Sequence, residues 1–190
     1  MNALDLIKSR RSIGVVKPEM PPKEWIEQML EAATWAPNHH QTEPWRFFVL
    51  TGTARNRLGE AMEEITKEGM PDPHSEESRK QLEKLRKNPL RAPVVIAVAA
   101  SPSTSPKVVE VEEIEAVACA VQNMMLVAHQ LGLGSVWRTG GITYHPKLKD
   151  FFGLGERDLL LGFVYVGFPD MTAKPKSRTP YSEKTVWMES

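Results

Sequence analysis

Trp35-Ala36-Pro37-Asn38-His39-His40-Gln41-Thr42-Glu43-Pro44-Trp45-Arg46-Phe47-Phe48 is a polar loop between a predicted helix and a predicted strand. Pro37 and Pro44 stiffen its ends, because each fixes its own φ and drives the preceding residue away from the α region. Between them Asn38, His39, His40 and Gln41 are consecutive hydrogen-bonding side chains, flanked by Trp35 and Trp45. Such a loop suits a flat ligand with polar edges. The plainer alternative is a well-structured connection with solvated histidines, and the loop residues leave both open.

Upstream, Pro21-Pro22 opens a helix in which Trp25, Ile26, Met29, Leu30 and Ala33 recur at helical spacing, a core stripe rather than a cofactor surface. Residues 2–9 read as a short helix, with Asn2 and Asp5 spaced as a capping box and Leu4 and Ile7 as its apolar side. It runs into Ser9-Arg10-Arg11-Ser12. Arginines there complement the helix dipole, which is the structural explanation. The functional one is phosphate recognition by guanidinium forks and a hydroxyl. A helix C-terminus repels an anion, so the side-chain charges alone would have to hold it.

Downstream, Trp45 to Leu50 has the aromatic and β-branched residues of a strand. Thr53 is placed to cap a helix whose face is Leu58, Ala61, Met62 and Ile65. After a break at 69–75, a charged helix over 75–87 interleaves Arg79, Lys80, Lys84, Arg86 and Lys87 with Glu76, Glu77 and Glu83, the pattern of a solvated face. The apolar run 93–100 predicts a buried strand. The longest helix, about 109–131, is apolar nearly all round, with Ile114, Ala118, Val121, Met125 and Ala128 on one face and Val117, Met124 and Val127 on another. That calls for a central core helix or a subunit interface. Gly132-Leu133-Gly134 stops it, Ser135-Val136-Trp137 resumes as strand, and Arg138-Thr139-Gly140-Gly141 follows. Paired glycines either admit close approach of a ligand to backbone N–H groups or make a tight turn. A short helix at 146–152 and a buried strand at 159–167 complete the domain. The tail from 168 is polar and proline-punctuated yet carries Val186 and Trp187, as an arm docked on something would. Helices and strands mix without regular βαβ alternation, which favours α+β.

The totals bound the rest. A chain of 190 residues fits one domain with an appended arm and buries a core without disulfides or metals. Lys plus Arg and Asp plus Glu each total 24, so no net charge draws the protein to nucleic acid or to a membrane surface. Cys119 is the lone cysteine, which excludes a disulfide framework and fits a reducing compartment. With no apolar leader or membrane-length run, the sequence reads as cytoplasmic. His39, His40, His74, His129 and His145 lack zinc-site spacing, so no metal site is expected. No dinucleotide fingerprint, phosphate-binding Gly-Lys loop or nucleophile elbow occurs, so a cofactor would have to carry any redox chemistry.

Ser9-Arg10-Arg11-Ser12, the Ala36-Pro37 to Pro44-Trp45 loop and Gly134-Ser135-Val136-Trp137-Arg138-Thr139-Gly140, in this order and spacing, resemble the FMN-dependent nitroreductase family, and most closely its short NAD(P)H nitroreductases. The resemblance spans nearly the whole chain. It implies an α+β homodimer with a mainly antiparallel sheet flanked by helices. Residues 1–168 would form the domain, and 169–190 an arm exchanged onto the partner. It further implies that Arg10, Arg11 and Ser12 hold the FMN phosphate and ribityl side, with Arg178 beside them. Trp35 and His39 would reach FMN from the other subunit, and Trp137, Arg138 and Thr139 would meet the flavin. Val127 to Gly132 matches a segment that short members assign to NAD(P), although bottom-up it is the end of a buried helix. Many members continue Arg-Arg-Ser-x-Arg with an aromatic, where this chain has Gly14 and Val15, and larger ones carry Asn where Gln41 falls. The implied activity is hydride transfer from NAD(P)H through FMN to a nitroaromatic, quinone or related small-molecule acceptor. The alternative is FMN storage or redox sensing without turnover.

Overall fold

Residue placement follows from a sheet sandwiched between two unequal helical layers. The structure is a computed structural model and describes residues 2–174 and 176–189; Pro175 and Ser190 of the expected arm, and Met1, lie outside the described residues. Four strands, β1 (Trp45–Leu50), β2 (Val94–Ala100), β3 (Gly134–Arg138) and β4 (Leu159–Gly167), pair antiparallel in the order β1-β2-β4-β3. β2 is buried along its whole length, as its unbroken apolar run requires of a strand covered on both faces.

Side chains alternate across the sheet. Val94, Ile96, Val98 and Ala100 face α2 (Lys23–Thr34) and α5 (Glu110–Gln130), whose stripe of Ile26, Met29 and Ala33 meets Val117, Val121 and Met124. Val95, Ala97 and Ala99 face α3 (Thr53–Glu68) and α6 (Pro146–Phe151), through Leu58, Met62 and Leu148. α4 (Glu76–Lys87) packs outside α3 and buries only Leu82, consistent with its solvated charge pattern. The helical stripes of α2 and α3, the strands and the charged helix thus lie where the sequence puts them.

Three details differ. Gly52, at φ +50°, occupies the position before α3, and Thr53 is the first helical residue rather than the cap. Only glycine takes that φ without strain, so the chain turns one residue earlier. On α5 the buried set is Ala116, Val117, Ala120, Val121, Met124, Met125 and Ala128, while Ile114 and Ala118 are half-buried and Cys119 and Val111 exposed. Leu4 and Ile7 of α1 (Ala3–Ser9) face outward. One α5 flank is therefore only partly covered by the described residues. Among the described residues no helix is long and apolar enough to cross a membrane.

β4 carries an extra residue at Leu161, since Val98 pairs with Gly162 and Ala99 with Leu160. Gly162 sits at φ +143°, and a Cβ there would stand 2.4 Å from Trp137 Nε1 and 2.7 Å from the Arg138 carbonyl oxygen. The bulge and the missing side chain together seat the Trp137 indole. Gly162→Ala is expected to destabilise the fold by roughly 2–4 kcal/mol through strain and overpacking. Urea unfolding monitored by tryptophan fluorescence measures this.

Candidate functional site along the outer edge of β3

β3 is a terminal strand of the sheet, and its free edge is taken by the chain that follows α1. Ser12 bridges to Ser135 in parallel, and Ile13 N donates to Ser135 O at 3.0 Å. The segment then passes the end of β4, where Lys17 N donates to Phe168 O at 2.8 Å and Asp170 N to Val15 O at 3.1 Å. Gly134 permits this approach, because a Cβ there would come within 2.7 Å of Ile13 Cγ2. Pairing thus covers a strand edge that would otherwise be exposed and lines up functional side chains beside it.

At the start of this edge lie Arg10, Arg11, Arg178 and His129. The sequence left two explanations for the arginines, and the structure divides them. Arg11 Nη1 donates to Lys8 O at 2.5 Å and to Arg10 O at 2.9 Å, satisfying carbonyls at the end of α1. Arg10 Nη1 is buried and has no hydrogen-bond partner. Burial, then Arg11, then Arg178 lower the Arg10 pKa from its ordinary value. Among the described residues no carboxylate pairs with Arg10, Arg11 or Arg178. His129 Nε2 lies 2.9 Å from Ser9 Oγ, and burial followed by Arg10 and Arg11 lowers its pKa. Crowded like charges with a buried orphan donor are a site for an anion of two or more charges. Ser12 is exposed beside them.

Further along the edge is a second cationic pocket, of about 200 Å³, lined by Asn88, Arg91, Arg138, Thr139, Thr143 and Tyr165 over Met62, Leu85, Ile142 and Phe163. The Arg138 guanidinium lies over the Tyr165 ring at 5.2 Å, and its Nε is buried without a partner. Its Nη2 stands 3.4 Å from where a Cβ on Gly14 would be, an ordinary contact distance that places the guanidinium beside Gly14. Burial and then Arg91 lower the Arg138 pKa; burial raises that of Tyr165, against the pull of Arg138 and Arg91. Asn88, Arg91 and Tyr165 were not singled out in the sequence: Asn88 and Arg91 fall between the charged helix over 75–87 and the apolar run 93–100, and Tyr165 within the buried strand 159–167. Trp137 projects to the opposite face of the sheet from Arg138 and packs against the α2–α5 core, its Nε1 buried and unpartnered.

The opening loop sits elsewhere. Trp35 is 80% exposed at the end of α2, above a 310 Å³ groove that includes Val127, Gln130 and Leu131. His39 Nδ1 lies 2.9 Å from Glu112 Oε2, near the start of α5. His129 is near its end, which puts His39 about 25 Å along the helix from the Arg10 cluster at ~1.5 Å per residue. Within one chain the structure therefore does not bring His39 to Arg10.

The loop is strained: His40, Gln41 and Glu43 have φ of 60°, 53° and 48°. Each left-handed non-glycine residue costs on the order of 1 kcal/mol. Glu113 helps hold it. This carboxylate is 1% exposed, accepts from Thr42 Oγ1 at 2.5 Å and Ser103 N at 3.1 Å, and so ties the loop to the 101–109 segment. Glu43 N donates to Asn38 Oδ1 at 3.0 Å, and His39 stacks on His40 at 3.8 Å. Glu113 was not singled out in the sequence, where it is one of three glutamates in the first turn of α5 and nothing local marks it as buried. Among the described residues no group of His, Cys, Asp and Glu is placed to hold a metal.

The sequence pattern of the Nitroreductase family matches residues 7–168. YdjA of Escherichia coli (strain K12), which carries an NAD(P)H nitroreductase name, is 34% identical over 181 residues, 95% of each chain. The crystal structure of a nitroreductase-like family protein from Bacillus cereus has a TM-score of 0.85 at 30% identity, covering 100% of this chain and 97% of its own. A Desulfovibrio desulfuricans protein solved in complex with FMN and described as a nitroreductase has a TM-score of 0.72 at 26% identity, covering 100% of this chain and 98% of its own. With a sheet of the same kind and a family match over most of its length, this chain belongs to the nitroreductase family.

Proposed function

We propose that the protein is an FMN-dependent oxidoreductase that takes reducing equivalents from NAD(P)H and delivers them to a nitroaromatic, quinone or related small-molecule acceptor. One observation carries this. Two unpaired cationic clusters, each with a buried donor lacking a partner, lie along the same sheet edge. A ligand with a phosphate at one end and an electron-accepting ring at the other would engage both clusters. FMN is such a molecule, and the Desulfovibrio relative was solved with it.

In this reading Arg10, with Arg178 and the Ser12 hydroxyl, holds the phosphate, and Arg11 fixes the end of α1 from which Arg10 projects. Arg138 and Arg91 occupy the ring end. Bound FMN would supply hydride acceptance and donation. The role of Arg138 and Arg91 would be to stabilise negative charge gathering on the reduced ring, as fixed cations in a partly dry pocket do. The Arg138 guanidinium is seated over Tyr165 and beside Gly14. No side chain is required as a chemical acid or base.

The working unit in this reading is a homodimer. Three features support it: the partly covered flank of α5, the exposed Trp35 and the separation of His39 from its own chain's Arg10. The tail adds a fourth, since Tyr181, Val186, Trp187 and Met188 are exposed among the described residues. Trp35 and His39 would then serve the partner's cofactor. A cytoplasmic setting completes the reading.

The purified protein is expected to be yellow or to gain a flavin spectrum with FMN. NADH or NADPH should bleach it anaerobically, and a nitroaromatic or quinone should restore the colour. Absence of flavin uptake overturns the proposal; uptake without bleaching favours storage or sensing. Arg10→Ala should weaken FMN binding by roughly 1.5–3 kcal/mol, the worth of a charge-assisted hydrogen bond, in a fluorescence-quenching titration. Removal of residues 169–190 should weaken dimer association or flavin retention in analytical ultracentrifugation, whereas a truncated protein that stays dimeric and yellow would show the arm to be incidental.

A further inference from the structure

α4 presents Lys80, Lys84 and Lys87 at successive helical turns, and Arg91 follows just beyond its end. Together with Glu83 they line an open groove of about 630 Å³. The groove shares Asn88 and Arg91 with the Arg138 pocket, so the two adjoin at these residues. Lys80 and Lys87 pair with Glu76 at 2.5 Å and Glu83 at 2.6 Å, both on the solvent-exposed surface of the helix. Exposed pairs of this kind are held weakly and give way to a stronger anion. Lys84 and Arg91 form no ion pair among the described residues. The helix C-terminus here repels an anion, so side-chain charge alone would do the binding. From Lys80 to Lys87 the row is about 10 Å long at 1.5 Å per residue.

We propose that this groove receives the 2′-phosphate of the reduced nicotinamide dinucleotide, so that the protein uses NADPH in preference to NADH. The inference rests on the proposed flavin site, because a donor whose nicotinamide reaches the ring end of that site has its phosphate-bearing end over the adjoining groove. A 2′-phosphate carries close to two negative charges at pH 7 and is the group that separates NADPH from NADH. Lys80 and Lys84 supply charge without touching the flavin, and Arg91 joins the two sites.

Two measurements test this on the FMN-loaded protein. In calorimetric titration, adenosine 2′,5′-bisphosphate should bind about 10-fold more tightly than 5′-AMP. The Lys80→Ala/Lys84→Ala double variant should bring the two within about twofold. Both lysines are exposed, so the variant retains the fold. In stopped-flow bleaching at low nucleotide, the second-order rate should favour NADPH about 10-fold, and the variant should lower it for NADPH alone. Equal binding of adenosine 3′,5′-bisphosphate would mark a general polyanion effect and overturn the assignment. Equal use of the two nucleotides, or a variant that slows both alike, would also overturn it. If neither nucleotide bleaches the flavin, the proposed function falls, and the fragment titration still decides the groove on its own.

Discussion

The parallel contact between Ser12 and Ser135, with the bond from Ile13 N to Ser135 O, is the constraint on which the site depends. It is backbone pairing, indifferent to side-chain chemistry, and it brings the residues just after α1 to the open edge of a sheet, pairing Ser12 with Ser135, 123 positions on. Once it forms, Arg10 and Arg11 stand at one end of β3, and Gly14 faces the Arg138 guanidinium. The glycines at 134 and 162 are what make the edge usable. One admits the incoming chain, and the other admits the indole that braces β3 from the far face. Cations can then be crowded together because the surrounding sheet, stabilised by two apolar layers, holds them against their mutual repulsion.

The opening loop shows the complementary arrangement. Its backbone is held in a conformation that non-glycine residues disfavour, and it is held there by Glu113, Glu112 and Asn38. Strain of this kind persists where the surroundings over-determine it, and it commonly marks surfaces prepared for a ligand. The long helix α5 sets the distance between this loop and the Arg10 cluster, since its two ends carry Glu112 and His129 respectively. A rigid rod of that length keeps the two halves of the expected site apart within one chain. In the proposed homodimer a second copy would reunite them.

Much of the fold was legible because the elements are consistent with their local signals. Periodicity of 3.6 located α2 and α3, an unbroken apolar run located β2, and the interleaved charges located α4. The Arg10-Arg11-Ser12 and Arg138-Thr139 stretches were legible as candidates. Arg11 turned out to be occupied with backbone carbonyls, while Arg10 alone of the pair has a buried donor to spare. Arg91, Asn88, Tyr165 and Glu113 were not legible. Each sits in a segment with an adequate local explanation, and each gained its place through contact with residues tens of positions away.

The sequence by itself determined the element order, the α+β class, the buried central strand and the shortlist of cations. These depend on short-range preferences for burial and turn geometry that are written locally. The tertiary structure decided which of those cations lie unpaired together, which face of the sheet Arg138 and Trp137 take, and how far His39 stands from Arg10. Those outcomes depend on strand pairing and helix packing between distant segments, where a single bulge at Leu161 and one absent Cβ at Gly162 seat the Trp137 indole. The Trp35–Phe48 loop was recognisable as special from its prolines and its run of polar residues. Its strained backbone, pinned by a buried carboxylate 71 positions downstream, could only be seen once the chain was folded.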